Sequence, residues 1–496
     1  MNILSYFKTS MTRRLPRYLF TTMTAYAALS VSFFAFAVFF QCVPPHTYTP
    51  DRAPANYRLS TPQKPAPAPR APETGMQLAQ NTAGAQDTVR DQWGIDQERQ
   101  AVAGRENPSG PRFHVPSTTV RIVLYQGMSQ ARVLASSAME LLNGGTPGAA
   151  TLRGGATIER GDAAGRAFFQ MEGMSRILVP LPCTLFAKSE FNIVKIEGLS
   201  CRGSVIVAPE QGGLFTLVSF LDVEDYLRGV VPLEVGKGSD DIAEAVKAQA
   251  VAARTYTYRK MQDNARASYD LAATVADQVY GGVAAESEQC NRAIRATEGQ
   301  VMLYHDSLIY AYYHSTCGGR TASIEDAWNK SPLGYLRSVD DNNGLAGPFC
   351  SSSPSFAWEE QWPLPQFTFI VNRYSRETFP QNPLSGEVRS VSVDSRFFCG
   401  RVKQCSVRTS NGTFVYGGDK IRFVFRRNSA GYPILKSSLI TGVSLQSGTM
   451  VIKGRGYGHG VGMCQMGAIG RARAGKKYDE ILKAYYTDIT IIKVTK

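Results

Sequence analysis

The sequence predicts a mixed α+β protein, and three observations predict it. Short alternating or β-branched stretches recur on both sides of one long alanine-rich helical pattern. That central pattern, "DDIAEAVKAQAVAARTYTYRKM", carries Ile242, Ala245, Val246, Ala253 and Tyr256 along one side, the spacing of a buried stripe. The chain then closes on a glycine-rich turn that runs into further helix.

The elements follow in order. "VRIVLY" from Val120 alternates, "FNIVKIE" is short and β-branched, and "LFTLVSFL" runs to Leu221. These predict a strand-rich part over 116–215. A helix-containing core is expected over 216–340, its helix opened by a capping box of Asp241 and Glu244. The many alanines let that helix pack closely on a neighbour. Lys247 and Arg254, seven apart, share one face, which reads as a solvated surface or a binding face. Beyond 340, "EVRSVSVD" and "IRFVFRR" alternate again, predicting a strand-rich segment over 341–450. Residues 451–496, "GRGYGHGVGMCQMGAIGRARAGKKYDEILKAYYTD" within them, form a loop and helix that complete the core. One carboxylate stands out: Glu234 sits in the apolar run "VVPLEV", which reads as a connection just ahead of the helix.

Length and composition bound the rest. The chain has 496 residues, 43% hydrophobic, enough for a sizeable core and about three domains. Its net charge of +13 points to an acidic partner: nucleic acid, anionic lipid or an acidic polymer. Residues 1–18 carry Lys8, Arg13, Arg14 and Arg17 ahead of an uncharged apolar run over 19–43, long enough to span a bilayer. A membrane anchor with everything after it outside the cytoplasm is the expectation. A cleaved signal peptide is opposed by the long run and the lack of a small-x-small site, and lipid attachment at Cys42 by the bulky residues before it. Residues 44–115 read as a tether, Pro/Ala-rich at first ("PAPAPRAPE") and aperiodic later. Export disfavours nucleic acid as a partner, and no nucleic-acid module is present.

Nine cysteines in an exported chain allow disulfides. Cys183 with Cys201 and Cys399 with Cys405 are close enough in sequence for local bridges; Cys290, Cys317, Cys350 and Cys464 have no local mate. The glycine-rich loop lacks both the Walker spacing and a dinucleotide fingerprint. Its glycines read as permitting close backbone approach, with His459 at the tip.

Five motifs in order, "FLDVEDYLRGVVPLEV", "EAVKAQAVAARTY", "DQVYGG", "HSTCGGRT" and "GYGHGVGMCQMGA", resemble the stage II sporulation protein D family, which includes amidase enhancers. The resemblance runs from about Val120 to the end. It implies a lytic transglycosylase, a lyase of cell-wall remodelling that cuts peptidoglycan glycan strands stripped of their stem peptides. Glu234 matches the family's catalytic glutamate. The residues agree, since Val230, Val231, Leu233 and Val235 would desolvate a carboxyl and raise its pKa. A single such group can serve as acid and then base. Tyr226, Arg228, Lys247, Gln249, Arg254, Gln278, Tyr280 and His459 lie in or beside the matching motifs and are candidates to line a sugar groove; for each a structural role is an equal alternative. Free lactyl carboxylates on stripped strands would suit Lys247 or Arg254.

The resemblance requires no cofactor but allows a structural zinc, with His314, Cys317, Cys350 and Cys464 as candidate ligands. The competing expectation, which an oxidising compartment favours, is a Cys317–Cys350 disulfide with His314 in the core. A noncatalytic glycan-binding protein that recruits or activates a cell-wall amidase is the alternative function. A metal-dependent hydrolase ranks below both, with no HExxH and five histidines in all.

Overall fold

The computed structural model describes residues 117–494 apart from 144, 145, 163, 164, 172, 188 and 190. The apolar run at 19–43 and the tether at 44–115 lie outside the described residues, as does Cys42. Among the described residues no helix is long and apolar enough to cross a membrane.

The fold is α+β, as the patterns predict, with three buried cores. The first lies between two sheets. One runs Thr119–Met128, Phe215–Asp222, Ser204–Pro209, Cys183–Ala187, Met139–Asn143, Thr146–Leu152, all antiparallel, with Leu271–Ala272 as a short parallel edge. The other has six strands, with Gln130–Ala135 and Gly155–Arg160 at its centre. Alternation sends Val133, Ile158 and Phe169 from one sheet against Leu185, Val207 and Leu217 from the other.

The second core is helical. Its first helix, α1 (Val223–Val235), is capped by Asp222, whose carboxylate accepts the Glu224 N–H at 2.8 Å. Here the structure departs from the sequence reading. Glu234 lies in the last turn of this helix, not in a connection ahead of one. Val230, Val231 and Pro232 argue locally against helix. Burial of Val223, Tyr226, Leu227, Val230 and Val231 against the core outweighs that preference.

Next comes α2 (Ala243–Asp263), buried from Ala248 to Tyr258 without interruption. The predicted stripe is buried, but so are the other faces, because the alanines admit neighbours on several sides. The expected capping box is absent. Asp241 pairs with Arg473 at 2.9 Å, and Glu244 binds Lys247 at 2.8 Å and the Tyr478 N–H at 2.9 Å. Around α2 pack α3 (Glu288–Ala296), the strand Gln300–Tyr304 and two helices from the end of the chain. A short α4 (Ile324–Trp328) follows in sequence.

The third core belongs to a segment that leaves the helical core after Cys350. It contains α5 (Leu364–Thr378), α6 (Ile421–Val424) and two three-stranded sheets around Trp362, Phe367 and Phe425. "EVRSVSVD" is strand, within Val388–Arg396. "IRFVFRR" is not: Arg422 is buried, bonded to Asp419 at 2.8 Å and to the Leu435 carbonyl at 2.9 Å, and the segment turns as α6. The chain returns through Thr449–Arg455 and the glycine-rich loop to α7 (Gln465–Arg473) and α8 (Tyr478–Tyr485).

The expected local disulfides do not form. Cys183 belongs to the sandwich core and Cys201 to the helical one; Cys399 belongs to the helical core and Cys405 to the third. All eight described cysteines are buried free thiols.

Candidate active site

Glu234 projects from the end of α1, where the helix dipole opposes a negative charge. Gln465, at the start of α7, donates from Nε2 to Glu234 Oε2 at 3.1 Å. The Tyr313 hydroxyl and the Val279 N–H also bond to the carboxyl. All three favour the charged form, yet desolvation outweighs them and lifts the pKa to about 7. The residue itself is only half-buried. A proton is therefore held near neutral pH at a place that solvent still reaches.

A buried polar network stands behind the carboxyl. The hydroxyls of Tyr226 (3.2 Å) and Thr257 (3.1 Å) donate to Gln278 Oε1. Gln278 Nε2 in turn donates to the Tyr313 hydroxyl at 3.0 Å, which leaves the tyrosine proton for Glu234. The amide of Gln278 is thus fixed by its partners, and it fixes the direction of Tyr313. Tyr280 packs against Tyr226 and so borders the network, ring centroids 5.3 Å apart and planes tilted by 33°.

The glycine-rich loop approaches the backbone at Tyr312 as closely as the sequence suggests. A Cβ on Gly462 would lie 2.0 Å from the Tyr312 carbonyl oxygen, and the residue has φ +70°. Gly462→Ala should therefore cost at least about 2 kcal/mol, read as a lower denaturant midpoint. His459 is half-buried, its Nδ1 accepting the Val461 N–H at 3.1 Å, with Trp328 and Tyr312 beside its ring. Burial holds its pKa at about 4, so it is neutral at physiological pH.

A second cluster lies beside α7. Cys317, Cys350, Cys464 and Asp341 place their ligand atoms within 4.8 Å of one another. The sulfurs of Cys317 and Cys350 are 3.5 Å apart and unbonded, and Cys317 Sγ is 3.3 Å from Asp341 Oδ2. Backbone N–H groups point at the sulfurs: Cys317 and Gly467 donate to Cys464 Sγ at 3.1 and 3.3 Å, and Gly319 to Cys317 Sγ at 3.4 Å. The Cys350 thiol is pulled well below its ordinary range by hydrogen bonds from Cys317 and Cys464. Asp341 Oδ1 is occupied by Tyr485 (2.6 Å) and Arg471 (3.1 Å), which orients Oδ2 toward the sulfurs. Three thiols and one carboxylate, with donors supporting the sulfurs, fit a tetrahedral metal; sulfurs about 2.3 Å from zinc stand about 3.8 Å apart.

His314 is not in that cluster. Its Nδ1 donates to the Val461 carbonyl at 3.2 Å and its ring faces His459, centroids 5.5 Å apart. Asp341 takes the fourth position, 24 residues beyond Cys317 in a polar stretch, with no spacing that marks it as a ligand.

The expected groove residues divide. Tyr226, Gln249, Arg254, Gln278 and Tyr280 are buried and do not line an open groove. Tyr226, Gln278 and Tyr280 act behind Glu234, while Gln249 is wholly buried one turn before Ala253, whose carbonyl accepts from Gln278. Arg254 is the clearest correction. It is fully buried, paired bidentately with Glu224 at 2.7 Å, so it is neither solvated nor available to a substrate. Lys247 and Arg228 remain partly exposed but are paired, with Glu244 and with Asp225 and Glu286. The sequence reading does not reach Gln465 or Tyr313: neither a glutamine inside the last motif nor a tyrosine just ahead of "HSTCGGRT" signals a carboxylate partner 231 or 79 residues away.

Comparison with known proteins matches residues 211–304 to the family model "Stage II sporulation protein" (SpoIID). Over those residues the chain is similar to the SpoIID family. The SpoIID match spans α1, Glu234, α2 and the Gln278 network. Residues 347–462, the segment with the third core, match a domain of unknown function. Stage II sporulation protein D of Bacillus subtilis is 29% identical over 290 residues, 54% of this chain and 74% of that protein. The amidase enhancer of the same organism is 31% identical over 294 residues, 53% of this chain but only 40% of the enhancer. An uncharacterized protein of Brachyspira hyodysenteriae is 29% identical over 300 residues, 60% of this chain and 73% of its own length.

Proposed function

We propose that the chain is a peptidoglycan lytic transglycosylase in which Glu234 is the single acid and base. The observation that carries this reading is a carboxyl with a pKa of about 7, half-buried and held by Gln465, Tyr313 and the Val279 N–H. Protonated Glu234 gives its proton to the glycosidic oxygen as the bond to the anomeric carbon breaks through an oxocarbenium-like state. The resulting carboxylate then takes the proton of the muramic sugar's primary hydroxyl, whose oxygen attacks the anomeric carbon. No water is consumed, and the product ends in an anhydro-muramic sugar. Tyr313 and Gln465 hold the carboxyl in place through both transfers.

Isolated glycan strands, stripped of stem peptides, test this directly. Mass spectrometry of the products should show anhydro ends, lighter by one water than hydrolysed ends; reducing muramic ends would mean hydrolysis and sink the cyclisation step. The first step needs protonated Glu234, so its rate should fall as pH rises through about 7. His459 and His314 are held neutral there and do not contribute to that limb.

The name of one relative favours a second reading, a noncatalytic glycan binder that stimulates a cell-wall amidase. Binding of glycan and stimulation of an amidase without any cleavage would select it. In either reading the protein works on the wall side of the membrane, held by the anchor at 19–43.

Cys317, Asp341, Cys350 and Cys464 serve as a structural zinc site, of the closed four-ligand kind that stabilises a fold without taking part in proton transfer. Elemental analysis of the purified chain should find one metal per molecule. Thiol-reactive probes should label Cys317, Cys350 and Cys464 only after a chelator is added. Metal-free protein whose three thiols label without a chelator would remove the site.

A further inference from the structure

The two clusters of the helical core meet at one peptide bond. Cys464 belongs to the thiol–carboxylate cluster, and Gln465 holds Glu234. The thiol of Cys464 is also the N-cap of α7, accepting the Gly467 N–H at 3.3 Å, so the same sulfur fixes the start of the helix on which Gln465 stands. Gln465 is 7% exposed, with little freedom to find another partner for its amide. The backbone on either side is held too: Cys317 N–H donates to the Cys464 sulfur at 3.1 Å, and Met466 N–H donates to the Ser315 carbonyl at 3.0 Å.

The position of the cluster in the chain adds a second reason to expect coupling. The residues that build the third core, Trp358 to Ile452, lie in sequence between two members of the cluster, Cys350 and Cys464. The chain on either side of this stretch thus passes through one cluster, whose sulfurs and carboxylate are drawn together there. Movement of the segment against the core is resisted there, as well as by Arg401, which donates to the Arg320 and Cys317 carbonyls at 3.0 Å, and the cluster lies one residue from the amide that holds the carboxyl.

We propose that Gln465 is the positioning residue for Glu234, and that the Cys317–Asp341–Cys350–Cys464 cluster, loaded with a divalent metal, sets that position through Cys464. The proposal rests on the transglycosylase reading for its kinetic consequence but not for its structural one. An occupied cluster fixes the α7 cap and keeps the Gln465 amide on Glu234 Oε2; an emptied one releases the cap, and Glu234 loses one of its three hydrogen-bond donors. The groups that face Glu234 limit what else could change. Tyr313, from the short strand Tyr313–His314, and Tyr226, from α1, are both held neutral by burial; the other partners, Gln465 and the Val279 N–H, do not titrate.

Four proteins test it, each as the full chain: wild type, Gln465→Ala, Cys464→Ser and, as the spectroscopic reference, Glu234→Gln. Metal content is measured by elemental analysis, and the Glu234 carboxyl is titrated by infrared difference spectroscopy against Glu234→Gln. Kinetics on stripped glycan strands are followed across pH. Gln465→Ala should keep its metal, lower kcat by roughly 10- to 100-fold, hold KM within about threefold, and move both the infrared midpoint and the alkaline limb to higher pH. The direction follows from losing a donor that favours the carboxylate. Cys464→Ser should lose metal and shift the midpoint the same way, although its own side chain never touches Glu234. If Cys464→Ser fails to fold, wild type stripped with a chelator takes its place, with the same readouts. Loss of metal with an unchanged midpoint overturns the coupling; an unchanged midpoint in Gln465→Ala overturns the positioning role. Should wild type cut no glycan, the transglycosylase reading fails, and the infrared titration and metal analysis still decide the proposal.

Discussion

Glu234→Gln is expected to reduce glycan cleavage by about 100- to 10,000-fold, the usual worth of a positioned general acid and base. Glutamine keeps the size of the side chain and can still bond to Gln465, but carries no proton to give and take back. Glycan binding should survive, measured by co-sedimentation with insoluble strands. Full cleavage by the variant would remove Glu234 from the chemistry. The same substitution has a stability signature with a definite sign. A carboxyl whose folded pKa is raised to about 7 favours the fold while protonated and loses that advantage as pH rises from its unfolded value through 7. Wild type should therefore lose stability relative to Glu234→Gln across that window. Thermal melts at pH 4.5 and pH 8 check it, with the variant gaining on wild type only at the higher pH.

Arg254→Ala should cost about 3–5 kcal/mol, the largest stability effect expected of a single substitution here. The guanidinium is wholly buried and bonds to both carboxylate oxygens of Glu224. It also donates to the carbonyls of Ile294 and Gln300, each at 3.3 Å, so it ties α1, α2, α3 and the strand Gln300–Tyr304 together. Its removal leaves Glu224 with only the Gly299 N–H at 3.2 Å in a partly buried place. Denaturant unfolding would show the loss, and activity should fall only as far as the folded fraction falls. A stable variant with weak glycan binding would instead return Arg254 to the substrate-binding role that its place in the motif suggested.

Arg254 also shows where sequence patterns stop. An arginine at helical spacing from a lysine looks the same whether it faces solvent or a partly buried glutamate thirty residues away. The motif located the residue but not its partner. Glu234 lies on the other side of that division. Its apolar neighbours and its place in the resemblance singled it out, because desolvation by adjacent valines is a local property. Even so, its setting in a helix was not legible: local preferences of Val230, Val231 and Pro232 oppose helix, and the burial that overrides them comes from residues far along the chain.

The sequence by itself determined the α+β class, the strands near 120, 215 and 390, the buried stripe of α2, the close approach of the glycine-rich loop and the candidate acid. Each depends on a repeat, a backbone freedom or an apolar neighbourhood that is written within a few residues. Only the tertiary structure decided which thiols and carboxylates meet. Cys183 and Cys201 are near in sequence but enter different cores, while Cys317, Asp341, Cys350 and Cys464 are far apart in sequence and converge. The partners of Glu234 are of the same kind: Gln465 reaches it at 3.1 Å across 231 residues, because helix packing and loop closure, which no local pattern encodes, bring α7 to the end of α1.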